Sequence, residues 1–284
     1  MRLNRFLAAA GIGSRRRCDE LIEAGRVAIN GKPCTDFSVQ PGERDHVKVD
    51  GKLVHVDIPR TIILHKPVGF VSTRSDPHAR DTIFDLLPSK FPRLFNVGRL
   101  DVQSEGLLIL TNDGELAQRL THPRYKIDKE YEVNLDRPWD RTLTPKLLRE
   151  IVLDGQRAQI ARAHSITPTR LRVVLRQGMN RQIRRMFEQV GYKVKRLVRI
   201  RIGNLRLDDL PRGHWRALTK SELKMLKTTK PASDISRSVI RPDRETAPTL
   251  AGVRHAVGES CMALLHSTTV KMNRPGRRRR PGAQ

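Results

Sequence analysis

The strongest chemical signal in the sequence lies in residues 98–114, which read GRLDVQSEGLLILTNDG. Arg99 and Asp101 precede an apolar run, residues 107–111, with the composition of a buried strand, and turn-forming residues end that run. A single acid between a leucine and a valine is usually a turn or cap residue. Loops held by a rigid sheet, however, often carry catalytic groups. The whole pattern therefore favours Asp101 as a catalytic carboxylate.

Two further segments place charged and polar residues beside ordered elements. Residues 65–69 (HKPVG) follow a predicted strand, with Lys66 in the loop after it. Residues 177–186 (QGMNRQIRRM) lead into a predicted helix whose apolar residues share one face. The polar positions of this second segment are Asn180, Arg181, Arg184 and Arg185.

These three segments, in the chain order 65–69, 98–114 and 177–186, resemble the motifs of the pseudouridine synthase family, in the branch that modifies single uridines of ribosomal RNA. Residues 177–186 most resemble members of this branch that act on 23S rRNA. The resemblance implies isomerisation of a uridine by base flipping, with no metal, nucleotide or redox cofactor. A 16S rRNA or tRNA target remains open within the same family.

The resemblance also implies roles for individual residues. Asp101 would be the essential carboxylate, which either attacks the sugar C1′ atom or removes a proton from the sugar. Arg184 would be its ion-pair partner, and Tyr131 would stack on the flipped uracil and assist proton transfer at C5. Substrate contacts would come from Arg99, Lys66, Asn180, Arg181 and Arg185. Fixing the loop is the alternative role for Lys66, and a solvent-facing position is the alternative for Arg185.

The N-terminal stretch has the pattern of a small RNA-binding module. Residues 2–25 predict two short helices that are separated by glycines, with Ser14 as the N-cap of the second helix. Asn30-Gly31 between apolar runs predicts a hairpin turn. The strings RLNRFL, GIGSRR and GRVAINGK resemble the S4 RNA-binding domain. Arg15 and Arg16 open a helix, where their charges and free backbone N–H groups can meet phosphates together.

Composition narrows the class of partner. The 284 residues contain 55 Lys and Arg against 30 Asp and Glu, a formal net charge of +25. Such an excess attracts polyanions, and nucleic acid is the first candidate. The three cysteines (Cys18, Cys34 and Cys261) show no C-x-x-C spacing, which argues against a zinc ribbon and favours a reducing compartment. No apolar stretch reaches the ~20 residues that span a bilayer. We therefore expect a cytoplasmic protein with no metal and no membrane contact.

The chain is expected to be α+β and to divide into three parts. Residues 1–58 form the S4-like domain, residues 59–227 form a catalytic domain with a mixed, mainly antiparallel sheet, and residues 228–284 form a disordered basic tail. The expected partner of this monomer is 23S rRNA or a large-subunit assembly intermediate. A noncatalytic S4-type assembly factor is the main rival, but it has no reason to carry residues 98–114. A DNA-binding protein is disfavoured because no zinc finger or recognition-helix arrangement is evident.

Overall fold

The N-terminal module consists of two short helices and a small antiparallel sheet. A computed structural model describes residues 1–89 and 91–229. In this module, helices α1 (Leu3–Ala9) and α2 (Arg15–Glu23) precede strands β1 (Val27–Ile29), β2 (Lys32–Pro33), β3 (Val47–Val49) and β4 (Lys52–Leu53), which are ordered β2-β1-β3-β4. The hydroxyl of Ser14 accepts a hydrogen bond from the N–H of Arg17, which confirms the predicted N-cap. Asn30 and Gly31 occupy the left-handed region in the predicted hairpin turn.

The module has a core of its own. Apolar side chains on one face of each helix pack against the sheet, and burial of this kind supplies most of the stability of a short helix. The buried members of this cluster are Leu3, Leu7, Cys18, Leu21, Ile22, Val27, Val47, Val49 and Val54.

The remaining described residues form eleven strands and four helices. The strands are β5 (Thr61–Lys66), β6 (Phe95–Val97), β7 (Glu105–Thr111), β8 (Lys129–Leu135), β9 (Ile151–Leu153), β10 (Gln156–Ala158), β11 (Arg162–Thr167), β12 (Arg170–Leu175), β13 (Val194–Ile202), β14 (Leu205–Arg206) and β15 (Trp215–Ala217). The helices are α3 (Gly114–Thr121), α4 (Thr144–Leu148), α5 (Gln182–Gln189) and α6 (Lys220–Thr228), with 3₁₀ turns at Pro123–Tyr125 and Arg141–Leu143.

Nine of these strands form one sheet within the described residues. Its order is β11-β12-β8-β13-β7-β5-β15, with β14 paired to β13 and β6 paired to β7, while β9 and β10 form a separate hairpin. Every pairing in the large sheet is antiparallel except that between β7 and β13. That parallel contact comprises only two residue pairs, Val198 with Glu105 and Arg199 with Gly106. The sheet thus consists of two antiparallel halves joined at one short parallel junction. The α+β class and the mixed, mainly antiparallel sheet are confirmed.

The two faces of the sheet carry different cores. Ile63, Leu107 and Ile109 pack with the apolar sides of α3 and α6 on one face. Their neighbours along the strands point to the opposite face, because side chains alternate along a strand. On that opposite face, Leu64 and Leu108 belong to one cluster beside the junction, and α5 packs on a second cluster over β8, β12 and β13. The junction therefore lies between two separate cores on this face.

Most of the predicted elements are present, with one consequential difference. Apolar patterning in the sequence also predicts strands at residues 60–64, 107–111, 131–135 and 171–175, with alternating burial at 131–135, and a helix at residues 182–190. These elements are β5, β7, β8, β12 and α5, except that Arg60 and Val190 lie just outside β5 and α5. β5 continues through His65 to Lys66, so Lys66 ends a buried strand and is not in a loop. Of the predicted tail, residues 228 and 229 are described, with Thr228 ending α6, and residues 230–284 lie outside the described residues. No described helix is both long and apolar enough to cross a membrane.

Gly106 is required by the junction between β7 and β13. Its φ is +112°, and a Cβ atom built on it would lie 2.3 Å from the carbonyl oxygen of Arg199 and 2.6 Å from the Arg199 nitrogen. Both neighbours are backbone atoms of a central strand, which cannot move aside without breaking the sheet. Only glycine allows the two halves to meet at this distance.

We expect Gly106→Ala to lower the free energy of unfolding by about 3 kcal/mol or more, because the added methyl group forces the two backbones apart. Chemical denaturation followed by circular dichroism measures this change. Gly178→Ala is the matched control, since a Cβ atom at Gly178 has no neighbour within 4 Å. Equal stability of the two variants would show that the junction tolerates a side chain.

Candidate active site

One row of paired residues crosses the junction. Lys66 of β5 pairs with Gly106 of β7, Gly106 pairs with Arg199 of β13, and Arg199 pairs with Tyr131 of β8. Directly paired residues lie side by side, so these four positions are neighbours across the sheet. The segment of residues 99–104, which contains Asp101, is hydrogen-bonded to the side chains of both Lys66 and Arg199. The sheet thereby positions the catalytic candidates that the sequence places far apart.

The side chain of Lys66 binds the main-chain carbonyl groups of the turn at residues 101–104. The turn is closed by a hydrogen bond from the N–H of Ser104 to the carbonyl of Asp101. The Lys66 Nζ atom donates to the carbonyl oxygens of Ser104 at 2.8 Å and Asp101 at 3.1 Å, and it also reaches those of Pro67 at 2.8 Å and Val102 at 3.5 Å. The Lys66 side chain is fully buried. This position corrects the expectation that Lys66 contacts substrate and supports the alternative that it fixes the loop.

Burial changes the acid–base properties of Lys66. Removal from water disfavours the ammonium form and lowers the pKa of Lys66 to about 8, although the negative charges of Asp101 and Glu105 partly oppose this effect. The positive charge of Arg199 acts in the same direction as burial. Lys66 is therefore a cation that can lose its proton in mildly alkaline solution.

A serine hydroxyl holds the other side of the turn. Ser72 Oγ donates to the carbonyl of Leu100 at 2.8 Å and accepts from the N–H of Leu100 at 3.2 Å. The N–H of Gly69 donates to the carbonyl of Val102 at 2.9 Å. These contacts use main-chain atoms on both sides of Asp101. The carboxylate of Asp101 itself makes no hydrogen bond or ion pair with a described residue and is half-buried, so it is available to a ligand.

Arg184 also contacts the turn through its main chain. Its guanidinium donates to the carbonyl of Gln103 at 2.9 Å. It also donates to the carbonyl of Val194, the first residue of β13, at 2.6 Å. The direct ion pair expected with Asp101 is not formed among the described residues: the terminal nitrogens of Arg184 donate to these two carbonyls, and its Nε is buried without a hydrogen-bond partner. Asp101 still attracts Arg184, and this attraction opposes the lowering of the Arg184 pKa that burial and Arg181 cause.

Tyr131 lies in the core beside this turn. Its side chain is in the same buried cluster as Leu100, Leu197 and Met186, and only 8% of the residue is exposed. Its hydroxyl makes no hydrogen bond to a described residue, although buried tyrosine hydroxyls usually have a partner. The aromatic ring is therefore fixed by packing, while the hydroxyl retains its capacity to bind a ligand.

Arg199 is a component of the site that the sequence did not reveal. It is 2% exposed, and it donates from Nε to the carbonyl of Leu107 at 2.7 Å and from Nη1 to that of Arg99 at 3.4 Å. Its Nη2 atom is buried without a hydrogen-bond partner. In the sequence it is one of several basic residues interleaved along a strand, and only its pairing with Gly106 distinguishes it.

The other predicted contact residues fall into two groups. Arg185 donates two hydrogen bonds to Asp154 at 2.7 and 2.8 Å, so it anchors the β9–β10 hairpin, and the structure does not support its expected contact with substrate. The remaining side chains are exposed and make no hydrogen bond or ion pair with a described residue. These are Arg15, Arg16, Arg99, Asn180 and Arg181.

Within residues 1–89 and 91–229, no three His, Cys, Asp or Glu side chains are grouped to hold a metal ion.

Comparison with known proteins decides the family. Residues 60–189 match the RNA pseudouridylate synthase family, and residues 1–45 match the S4 domain. Over 231 residues the chain is 40% identical to an RNA pseudouridine synthase of Aquifex aeolicus, covering 80% of this chain and 96% of that protein. The chain belongs to the RNA pseudouridine synthase family.

Two further relatives and a solved structure agree with this membership. The synthase is 38% identical over 268 residues to the dual-specificity RNA pseudouridine synthase RluF of Escherichia coli, covering 90% of this chain and 88% of that protein. It is 37% identical over 232 residues to the ribosomal large subunit pseudouridine synthase B of Bacillus subtilis, covering 80% and 95%. A crystal structure of a pseudouridylate synthase superposes with a TM-score of 0.59 at 30% identity, covering 80% of this chain and 99% of that one. The predicted family, S4 domain and enzyme class are confirmed.

We expect Ser72→Ala to lower kcat about tenfold, because Leu100 loses both hydrogen bonds that fix the backbone before Asp101. Single-turnover formation of pseudouridine in an RNA fragment measures the rate. Ser75→Ala is the matched control, since Ser75 is exposed in the same segment. A normal rate in a folded Ser72→Ala variant would mean that the remaining contacts are sufficient to hold the turn.

We expect kcat to fall as the pH rises through about 8, where Lys66 loses its proton and donates fewer and weaker hydrogen bonds to the turn. Between pH 8 and the ordinary value of 10.5, the unfolded chain binds more protons than the folded chain. Deprotonation of Lys66 therefore does not destabilise the fold in this window, and circular dichroism should show no unfolding from this cause.

Lys129→Met is the control for this pH profile. Burial lowers the pKa of Lys129 to about 8 as well, with a further contribution from Arg199. If Lys66 causes the alkaline loss of activity, the loss persists in Lys129→Met. A loss that disappears in this variant belongs to Lys129.

Proposed function

We propose that this synthase isomerises a specific uridine of ribosomal RNA to pseudouridine, and that 23S rRNA is its first target. The proposal is supported by the names of two relatives, one a ribosomal large subunit synthase and the other a dual-specificity RNA synthase. It is also supported by the net charge of +25, which favours binding to a polyanion. A 16S rRNA or tRNA uridine is an alternative target, and mapping of pseudouridine in 16S rRNA and tRNA beside 23S rRNA distinguishes these targets.

The observation that carries the proposal is the contrast between the main chain and the side chain at Asp101. Side chains or backbone groups of Lys66, Ser72, Gly69 and Arg184 bind the backbone of residues 100–104, whereas the carboxylate makes no hydrogen bond or ion pair with any residue that the structure describes. A group that is fixed in position but unbonded is suited to react with a substrate, because no internal hydrogen bond must first be broken.

The chemistry requires only groups that this chain provides. The N1–C1′ bond of uridine breaks, the base rotates, and a C5–C1′ bond forms; C5 then loses its proton and N1 ends protonated. Substrate and product are isomers, so no oxidant or co-substrate is consumed. Asp101 either attacks C1′ and is later displaced from it, or takes a proton from the sugar and later returns it. Tyr131 lies in the cluster beside Asp101, where its ring can stack on the detached uracil and its hydroxyl can relay the C5 proton.

Extrusion of the uridine from its stack costs a few kcal/mol and must be offset by other contacts. Arg99 is exposed two residues before Asp101 and can occupy the space left by the base or bind a phosphate. Asn180 and Arg181 are exposed directly before α5 and can contact the RNA backbone. In the N-terminal module, Arg15 and Arg16 are exposed at the start of α2, where phosphates bind favourably.

We also propose that residues 1–58 are the RNA-binding domain and residues 59–227 the catalytic domain. The separate hydrophobic cluster of the N-terminal module supports this division. The synthase would act as a cytoplasmic monomer on free 23S rRNA or on a large-subunit assembly intermediate.

We expect Asp101→Asn to reduce pseudouridine formation by about 10³-fold or more while the dissociation constant for RNA stays within about twofold. The amide preserves size but can neither attack C1′ nor accept the proton. Carbodiimide-dependent primer-extension stops on rRNA from a deletion strain, incubated with each protein, map the modified uridine.

Asp209→Asn provides the control, because Asp209 is an exposed acid outside the site. Identical maps for wild type and Asp101→Asn would refute the enzymatic proposal and favour a noncatalytic S4-type factor. Loss of RNA binding in a folded Asp101→Asn variant would instead assign Asp101 a role in binding.

A further inference from the structure

A buried carboxylate next to the catalytic turn holds two arginines. Glu105 is the first residue of β7, and its side chain is only 4% exposed. Its Oε1 atom is hydrogen-bonded to Nε of Arg196 in β13, and its Oε2 atom lies 3.0 Å from Nε of Arg212 in the segment before β15. One acid is therefore paired with an arginine from each half of the sheet, by a hydrogen bond to Arg196 and by an ion pair to Arg212.

The geometry of these two arginines differs from that of the closed ion pairs of this protein. In a closed ion pair, two guanidinium nitrogens donate to the two oxygens of one carboxylate and are no longer available to a ligand. This is the case for Arg185, Arg216 and Arg80. Arg196 donates a hydrogen bond to Glu105 from Nε, and Arg212 forms an ion pair with Glu105 through Nε without hydrogen-bond geometry. Their Nη1 and Nη2 atoms make no hydrogen bond to a described residue, and their side chains are 43% and 57% exposed.

The balance of charge at this cluster is positive. Two guanidinium groups share the single charge of Glu105, which also attracts the buried Lys66. One further negative charge would balance the two exposed arginines. A phosphodiester carries that single charge, and its oxygens match the fork of a guanidinium group.

The cluster also adjoins the reactive carboxylate. Glu105 follows the 101–104 turn directly, and Arg184 connects the carbonyl of Gln103 in that turn to the carbonyl of Val194, two residues before Arg196. With a rise of about 3.3 Å per strand residue, Arg196 lies within about 7 Å of that link.

Glu105 pairs with Val198, which belongs to the core packed against α3 and α6, whereas Tyr131 belongs to the core on the other face of the sheet. An RNA strand that reaches both Asp101 and the cluster therefore passes over the end of the sheet at residues 101–105.

We propose that Arg196 and Arg212 form a binding site for one backbone phosphate of the RNA, close to the target uridine. Glu105 is the positioning residue of this site: it orients both guanidinium groups before the RNA arrives, so less side-chain freedom is lost on binding. This inference rests on the proposed action on RNA and adds the place where the strand is held.

The test is binding of the Arg196→Gln/Arg212→Gln double variant to an rRNA fragment that wild type modifies. We expect the dissociation constant to rise about tenfold and the slope of log Kd against log salt to fall by roughly one unit. Arg80→Gln is the control, because it also removes an exposed arginine but one whose fork is occupied by Asp76. The control should match wild type in both quantities.

A second arm identifies the phosphate. Single neutral methylphosphonates are placed, one at a time, at the linkages around the target uridine. We expect one linkage at which the substitution weakens binding by wild type but not by the double variant. If the double variant does not fold, Arg212→Gln alone serves, since Glu105 then keeps its contact with Arg196.

The outcomes separate this inference from the proposed function. If wild type modifies no rRNA fragment, the proposed function fails. If wild type modifies the fragment while the folded double variant keeps the wild-type Kd, salt slope and methylphosphonate pattern, Arg196 and Arg212 serve only to neutralise Glu105, and the phosphate site is refuted.

Discussion

The close approach of β7 and β13 at Gly106 is the constraint on which the site depends. Two residue pairs join the halves of the sheet, and a single Cβ atom at Gly106 would overlap the backbone of Arg199. This contact brings Lys66 to one side of the 99–104 segment and Arg199 to the other. It also lets Glu105 reach an arginine from each half. The positions of the 101–104 turn, of the cations beside it and of the arginine pair thus all depend on the close approach at one glycine.

Burial of the two lysines Lys66 and Lys129 costs free energy, which their lowered pKa values reflect. Backbone carbonyls offset that cost at Lys66, and an ammonium group bonded to carbonyls is held more firmly than one in water. Protein contacts are consequently concentrated on the main chain of the turn. The side chains of Asp101 and Tyr131 stay available to a ligand. A binding site requires this arrangement, in which protein contacts fix the main chain and leave the functional side chains unbonded.

Local signals in the sequence predict much of the fold. Ser14 as an N-cap, the Asn30-Gly31 turn, the alternation in β8 and the apolar face of α5 all depend on neighbouring residues and are confirmed. The roles of Lys66 and Arg185 depend on contacts made across the fold, and a charged side chain in a sequence is ordinarily assigned to the surface. The isolated glycine within the β7 pattern was a usable signal, because such glycines mark bulges or close backbone contacts.

The contacts that fix the 101–104 turn through its carbonyl groups have an evolutionary consequence. Lys66, Gly69 and Arg184 bind carbonyl oxygens, which every amino acid possesses, and the side chains of Val102 and Gln103 take no part. These two side chains can change without loosening Asp101. Selection for a different RNA neighbourhood can therefore act on Val102 and Gln103 while the reaction is preserved, so one framework can diverge into enzymes with different target uridines.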